Sequence, residues 1–440
     1  MITLSATSTN PGYDAVKSGQ RRTPPKQRVR SEDNVLRMPD RQRMSESTSD
    51  LYRNFSVAAW AIRRHLDYVT RFAFDCHTGD ESLDKAIEDR IAERMRPQNC
   101  DARRIHRFGR LLRIWESLRV MHGDCALLKL RGGQIQTIEH DRIRNPETTR
   151  NDIDQWVHGV KLDKWGGPLA YAIHKRSKYG SYEFERTVRA GNVIPFGYYH
   201  RADQTRGVSP LSSAINTFRD AYEGIDFTLA RMKVSQLFGL AIYSEENEGK
   251  GLSLDFSAGP QVLEAGTEDK IEFLESNQPS SQLQQFFEVV IGIALKALDI
   301  PFSFYDESFT NFFGSKAALM QYLQSAGEKR EDVKEVLRSI TVWWLATDIA
   351  DGTLDLPSGM SIPDIRFEWV PRGLPWWDMV RDAVAFQKML DSKILTRSQI
   401  RREFFADDWE LDVLPQIQRE EQLLAGLNST PAPNEAEVMT

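Results

Sequence analysis

The chain has 440 residues, of which 40% are hydrophobic and 27% are charged, and its formal net charge is −6. Such a chain can bury two or three domain cores, and no apolar run reaches the roughly 18 residues that a membrane span needs. The acidic balance argues against a protein that wraps nucleic acid tightly, because such proteins neutralise phosphates with a basic surface. Three cysteines without a CxxC pair indicate free thiols in a reducing compartment.

Residues 1–47 are rich in Ser, Thr, Pro, Gln and Arg and poor in apolar side chains. This composition predicts a disordered basic arm, which either contacts DNA or an acidic partner or is a solvated tail. Beyond the arm, apolar residues at helical spacing predict one helix over 50–73. Two further helices are predicted over 83–96 and 104–122, and the second of them is strongly basic.

The pattern then changes to short extended segments. Residues 125–130 and 134–139 lie on either side of the Gly132-Gly133 pair, which predicts a β-hairpin. Further strands are predicted over 157–162, 170–174, 187–189 and 193–199. We therefore predict that residues 48–207 form an α+β module.

A long amphipathic helix is predicted after the QTRGVSP stretch at 204–210. Ser209 suits the N-cap, and Pro210 suits the first helical position, where a missing N–H costs nothing. Apolar residues then recur at alternating spacings of four and three, which is the pattern of a packed helical seam. Because the seam is too long for a compact monomer, we expect a neighbouring subunit to cover its residues: Leu211, Ile215, Phe218, Tyr222, Ile225, Leu229 and Met232.

An exposed acidic loop follows at 244–251, and a second long helix is predicted from about residue 280 to the Pro301 boundary. Residues 302–314 are aromatic and non-periodic, which indicates a loop. A third helix is predicted over 315–350, with Gly352 as its stop signal. A strand near 365–370, helices over 376–391 and 397–405, and a polar tail from about 426 complete the chain.

The sequence offers little support for a metal or nucleotide site. It contains no HxxxH, HExxH or GxxxxGK[ST] pattern. Glu139-His140-Asp141 looks like an acid–base or metal cluster, but consecutive residues of a strand point to opposite faces. We therefore interpret these three residues as the hydrogen-bonded end of a strand.

Taken together, these features resemble the lambda-like group of phage portal proteins over roughly residues 50–420. The carriers of the resemblance are short motifs in a shared order: IEHDRIRNP at 138–146, Gly159-Val160 with Asp163 and Gly166, QTRGVSP at 204–210, IEFLE at 271–275, Pro301, Gly314-Ser315, Trp343-Trp344-Leu345 and Leu395-Thr396. The chain departs from the family pattern at Phe55-Ser56, at 374–378 and in a short insert over 241–270.

The resemblance implies an α+β fold divided as in a portal ring subunit. The implied segments are a wing (48–207), stem helix 1 (208–240), a clip (241–279), stem helix 2 (280–301), a tunnel loop (302–315), a long helix that returns to the wing (316–375), a helical crown region (376–425) and a flexible tail (426–440). It also implies a ring, usually of twelve subunits, at one capsid vertex in the virion, assembled in the cytoplasm of a host bacterium.

Within that ring the resemblance implies partners and contact residues, and it implies neither enzymatic activity, nor a cofactor, nor a membrane. The partners are double-stranded DNA, the terminase large subunit, a head-completion or adaptor protein, the major capsid protein and the scaffold. The implied DNA-channel residues are Tyr305, Phe309, Asn311, Phe312 and Lys316, and the implied terminase or adaptor contacts are Glu245, Glu246, Glu248 and Lys250.

Two other functions stay open on the residues alone. One is a metal-dependent DNA-processing enzyme such as a nuclease, whose two or three carboxylates would come from separate strand ends. The other is a non-viral ring-forming scaffold. Magnesium-dependent cleavage would indicate the first, while rings with a central hole in negative stain distinguish a portal from a monomer or dimer.

Overall fold

Helices and short antiparallel strands alternate in the computed structural model, which describes residues 31–146, 156–237, 240–243, 270–273, 281–306, 312–371, 379–401, 409 and 413–428. The α-helices of these residues are α1 (Glu32–Val35), α2 (Met38–Asn54), α3 (Ser56–Val69), α4 (Glu81–Arg94), α5 (Pro97–Cys100), α6 (Phe108–His122), α7 (Ile215–Leu237), α8 (Ser281–Leu295), α9 (Phe312–Ala350), α10 (Met379–Asp391), α11 (Arg397–Ile400) and α12 (Leu414–Asn428). The strands are β1 (Phe72–Cys76), β2 (Asp124–Lys129), β3 (Ile135–Glu139), β4 (Trp156–Val157), β5 (Val160–Leu162), β6 (Pro168–Arg176), β7 (Tyr182–Arg189), β8 (Val193–Gly197), β9 (Leu240–Tyr243), β10 (Lys270–Phe273) and β11 (Phe367–Pro371).

The strands pair into small sheets, all antiparallel. The sheet orders are β3-β2-β8, β4-β5-β6-β7, β1-β11 and β9-β10. The predicted hairpin at 125–139 is confirmed, because β2 pairs with β3 with Cys125 opposite Glu139. A turn at His158-Gly159 divides the strand predicted over 157–162 into β4 and β5.

One large apolar core joins the helices to the sheet of β2, β3 and β8. Trp115 of α6 and Trp344 of α9 are fully buried in it, and the ring of Phe108 lies 5.0 Å from that of Trp344. A second, smaller core lies between the two larger sheets and includes Ile138 and Ile173. The three cysteines are free thiols and buried.

The N-terminal expectation is wrong for residues 31–47. This segment is helical, since α1 begins at Glu32 and α2 runs to Asn54. Thr48 and Leu51 of α2 are buried, and the Thr48 hydroxyl donates to the carbonyl of Met121 at 2.7 Å. The helix therefore docks on the end of α6, and polar composition concealed this because α2 is anchored by polar contacts. Residues 1–30 of the predicted arm lie outside the described part of the chain.

The single helix predicted over 50–73 is also wrong. The chain breaks at Phe55, which has extended backbone angles between α2 and α3. The break places the buried Phe55 ring 6.2 Å from that of Phe218 in α7. The end of the predicted helix is instead strand β1, because residues 72–76 pair with β11.

The three long helices exist, and α8 begins where it was predicted, but the starts of the first and third helices differ from the predictions. Ser209 caps a short 3₁₀ helix, Pro210–Ser213, and α7 begins only at Ile215. A 3₁₀ turn, Phe302–Phe304, occupies part of the predicted tunnel loop, and α9 begins at Phe312 rather than at Ser315. With 39 residues, α9 is about 58 Å long at about 1.5 Å per residue.

Candidate functional site

The QTRGVSP stretch lies where the first long helix leaves the sheets, and its arginine is buried. The Nε and Nη2 atoms of Arg206 donate to the two carboxylate oxygens of Asp124 at 2.6 and 2.7 Å. The remaining guanidinium hydrogens reach three backbone carbonyls, of His140, Ile143 and His158. Arg206 thus ties α7 to the start of β2 and to the loop that follows β3.

The charges of this pair compensate for its burial. Desolvation raises the pKa of Asp124, but the adjacent Arg206 outweighs that effect and holds the pKa below its ordinary value. Desolvation likewise lowers the pKa of Arg206, while Asp124 raises it to a net increase. Both groups therefore stay ionised, which a buried ion pair requires if neither charge is to be left uncompensated.

Two glycines allow the backbones to meet beside this ion pair. A Cβ at Gly207 would overlap the carbonyl oxygen of Gly123, and one at Gly123 would overlap the Gly207 carbonyl. Gly123 also has φ +96°, as the C-cap of α6, where a side chain would be strained. The Ser209 hydroxyl completes the junction by donating to Val120 at 2.6 Å.

Arg41 of α2 is a third participant in this junction. Its Nη1 donates to the carbonyl of Gly207 at 2.6 Å and its Nη2 to that of Arg206 at 3.2 Å. Burial, and next the nearby charge of Arg206, lower the pKa of Arg41. Sequence reasoning missed Arg41 because it lay in a segment predicted to be disordered, although the spacing of Arg41, Ser45 and Thr48 on one helical face was available as a signal.

Glu139, His140 and Asp141 are engaged in structural contacts. Arg176 donates to Asp141 through Nε and Nη2, both at 2.6 Å, and to Glu139 at 2.5 Å. The His140 ring stacks on that of His122 with centroids 4.7 Å apart, and burial lowers the pKa of His140 to about 3. Within the described ranges, no group of three or more His, Cys, Asp or Glu side chains is arranged to hold a metal ion.

The apolar seam of the first long helix divides into two parts. Its first residues lie in the core of the chain itself: Leu211, Ile215 and Phe218. The expectation that a neighbour covers the whole seam is corrected for these three, because α2, α6 and the Phe55 ring of the same chain already pack there. The later residues are partly or largely exposed: Tyr222, Ile225, Leu229 and Met232.

The predicted channel residues are only partly described. Tyr305 is half-exposed, with its ring 5.5 Å from that of Phe302. Lys316, on the first turns of α9, lies 3.5 Å from a carboxylate oxygen of Asp382 in α10. Phe309 and Asn311 lie outside the described residues, and of Phe312 the structure describes the helical backbone alone.

The predicted terminase contacts lie in a segment of which the structure describes only the flanks. β9 and β10 pair antiparallel, with Leu240 opposite Phe273 and Tyr243 opposite Lys270. Glu245, Glu246, Glu248 and Lys250 lie between these strands and outside the described residues. No described helix is both long and apolar enough to cross a membrane.

Comparison with known proteins defines the class of this architecture. The chain shares its fold with a chain from the neck of a native gene transfer agent (GTA) particle, computed with C12 symmetry: the TM-score is 0.51 at 12% identity, covering 81% of this chain and 92% of that one. A chain from the neck of the empty GTA particle, computed with C6 symmetry, gives a TM-score of 0.50 at 12% identity, with coverage of 80% and 92%.

The sequence comparisons identify the family. The model of the family described as "Phage portal protein, lambda family" matches residues 19–326. The chain is 21% identical over 363 residues to the probable portal protein of Halomonas phage phiHAP-1. The aligned residues make up 73% of this chain and 68% of that protein. The chain belongs to the lambda family of phage portal proteins, and the resemblance found in its motifs is confirmed.

The junction around Arg206 gives a prediction for stability. We expect Asp124→Asn to lower the free energy of unfolding by about 3–5 kcal/mol, because it leaves a buried guanidinium without its counter-charge. Urea denaturation followed by tryptophan fluorescence measures the change. As a matched control, Glu183→Gln breaks the exposed pair of Glu183 with Lys175 and should cost less than about 1 kcal/mol. Equal losses in both variants would contradict a special role for the junction.

Proposed function

We propose that this chain forms the closed ring at one capsid vertex through which double-stranded DNA is packaged and later ejected. The observation that carries the proposal is the family match over residues 19–326. The division of the chain into two parts supports the proposal. An α+β wing ends at the Arg206 junction, and two antiparallel helices project from that junction toward β9 and β10. We infer twelve subunits, a number that the C12 symmetry of the GTA neck supports.

The ring interface is proposed on the outer faces of the stem helices, α7 and α8. The two helices pack on each other where Phe287 lies against Gly224, so close that a Cβ at Gly224 would contact the ring. On α8, Phe286, Val289 and Ile293 share one face at i, i+3 and i+7 and are 60%, 60% and 59% exposed.

The exposed part of the α7 seam is a different apolar surface, with Tyr222 42% and Leu229 49% exposed at i and i+7. Two unlike faces on one protomer suit a head-to-tail contact, in which α8 of one subunit meets α7 of the next. Such a contact closes into a ring when the rotation between subunits divides evenly into a full turn. Burial of these side chains would supply the hydrophobic driving force for assembly.

A pair of substitutions on α8 tests this interface. We expect Phe286→Glu with Ile293→Glu to abolish rings in negative-stain class averages, because the variant buries two carboxylates in an apolar contact. The control Tyr179→Glu changes a side chain that is 96% exposed in the turn between β6 and β7 and should leave rings intact. Rings formed normally by the α8 variant would exclude this face from the interface.

DNA contact in the channel is proposed for the tunnel-loop region and the first turns of α9. The supporting observation is the position of Lys316, whose ammonium already lies near Asp382. A partly compensated charge holds a phosphate weakly, which suits a duplex that must slide, since each fully neutralised phosphate anchors the DNA. Tyr305, Phe309, Asn311 and Phe312 are proposed to line the same passage.

Replacement of Lys316 by alanine tests the channel contact. We expect particles assembled with Lys316→Ala to retain less DNA after packaging, measured as the nuclease-protected genome per particle. The matched variant Lys334→Ala, on the same helix beside Glu331, should retain the wild-type amount. Unchanged DNA retention in the Lys316 variant would show that Lys316 does not contact DNA in the channel.

The acidic loop between β9 and β10 is proposed as the docking site of the terminase large subunit and, later, of a head-completion or adaptor protein. We expect charge reversal at Glu245, Glu246 and Glu248 to weaken terminase binding by roughly tenfold or more at low salt, because complementary charges steer such encounters. Biolayer interferometry with purified rings measures the change, and wild-type binding by the reversed ring would refute the assignment.

The remaining partners follow from the position at the vertex. We propose contacts with the major capsid protein and the scaffold during assembly in the cytoplasm of a host bacterium, and a final location in the virion. We propose that the chain itself catalyses no reaction, so that the packaging motor is a separate protein. The described carboxylates discussed above serve ion pairs and hydrogen bonds, which supports this proposal.

A further inference from the structure

A cluster of exposed arginines lies at the start of α6, at the opposite end of that helix from the Arg206 junction. Arg103, Arg104, Arg107 and Arg110 fall within eight residues at the start of α6, and all four are exposed. Among the described residues, none of the four forms an ion pair with a carboxylate. A chain with a net charge of −6 thus keeps four uncompensated guanidinium groups together, which neither the core nor the ring interface requires.

The backbone beneath this arginine cluster is held rigidly by one buried carboxylate. Asp101 accepts hydrogen bonds from the backbone N–H groups of Arg103, Ile105 and His106, at 3.1, 3.0 and 2.9 Å. Burial raises the pKa of Asp101, but these hydrogen bonds outweigh it and keep the pKa below its ordinary value. Two residues after His106, Phe108 is fixed by the hydrogen bond from its N–H to the carbonyl of Met95 at 3.0 Å. The guanidinium groups therefore project from a preorganised support.

Arg104 is held in a strained conformation. Its φ is +59°, in the left-handed region that glycine tolerates and that other residues rarely adopt. A glycine would adopt this φ without strain. The arginine therefore lowers the stability of the folded chain, and its exposed side chain does not offset that cost by burial in the described structure. Strain of this kind clusters at functional positions.

The composition of the cluster distinguishes between kinds of partner. Arginine also occurs in protein–protein interfaces, but the cores of those interfaces are mostly apolar, whereas this surface offers four guanidinium groups and one exposed large apolar side chain, Ile105. Guanidinium groups bind phosphate bidentately, and phosphate contacts make up half or more of the hydrogen bonds at protein–DNA interfaces. Above Gly109, in the first turn of α6, the surface is open, so a backbone could approach the cluster.

We propose that Arg103, Arg104, Arg107 and Arg110 form a sequence-independent docking surface for the phosphate backbone of duplex DNA on the outside of the ring. The inference rests on the proposed function, because the DNA available to such a surface is the genome that the portal packages. The wing would then hold DNA by its backbone, separately from the duplex that passes along the channel.

The experiment measures binding of the assembled ring to a covalently closed, relaxed DNA circle. A closed circle has no free end that could thread through a closed ring. The measured affinity therefore reports binding to the outer surface and excludes binding in the channel. The expected result is salt-dependent binding, which the triple variant Arg103→Gln, Arg107→Gln and Arg110→Gln weakens by roughly tenfold or more. The slope of the logarithm of the binding constant against the logarithm of the salt concentration should fall in magnitude by about one for each arginine removed.

A matched triple variant controls for net charge. Arg53→Gln, Arg63→Gln and Arg338→Gln change three exposed arginines on α2, α3 and α9 and should leave binding of the circle unchanged. Arg104→Gly should weaken binding while leaving the thermal midpoint equal to or above that of the wild type, because glycine relieves the positive φ. A loss of binding caused only by misfolding would lower that midpoint instead.

Three outcomes would overturn the inference. They are equal weakening by both triple variants, no binding of the circle at all, and competition by polyglutamate as effective as competition by linear DNA of equal charge. The last outcome would point to an acidic protein as the partner. Negative-stain images of the same samples distinguish the two proposals. Intact rings that do not bind the circle refute the docking surface alone, whereas an absence of rings refutes the proposed function.

Discussion

The architecture depends on the buried ion pair between Arg206 and Asp124. It joins the segment that leads into α7 to the first residue of β2, and Arg206 also satisfies three backbone carbonyls. A buried ion pair is often no more stabilising than apolar residues of the same volume, but the five hydrogen bonds of this guanidinium fix its direction. Its value here is orientation, because a small error at the base of a long helix becomes a large displacement at its tip.

The same junction explains why α7 and α8 can expose apolar residues without packing them against the rest of the chain. Arg41 of α2 clamps the carbonyls of Arg206 and Gly207, and the closely approaching glycines leave no space for rearrangement. The buried start of the seam, around Phe218, extends this anchor into the core. The later residues of α7 and the outer face of α8 are therefore held away from the core, where a second subunit can reach them.

The sequence predicted the long helices, the hairpin at Gly132-Gly133 and the family, because those features repeat a local pattern over many residues or match known motifs. It failed where tertiary contacts override local preference. The helix α2 has a polar composition, yet Arg41 and Thr48 bury it through hydrogen bonds whose acceptors lie far along the chain. The break at Phe55 and the strand after Val69 likewise depend on α7 and β11, which no local window includes. The division of the apolar seam into a buried and an exposed part could not be predicted for the same reason.

The acidic and basic side chains of the chain are separated on different elements, and this separation bears on the proposed contacts with DNA. The ammonium of Lys316 has a carboxylate nearby, whereas the arginines at 103–110 form no ion pair with a described carboxylate. A net charge of −6 describes neither surface, since it is the sum of acidic and basic patches on different elements. Phosphate affinity depends on how many unpaired cations meet one stretch of backbone. A single acidic chain can therefore present two basic surfaces of different phosphate affinity, as the proposed channel contact and the proposed docking surface require.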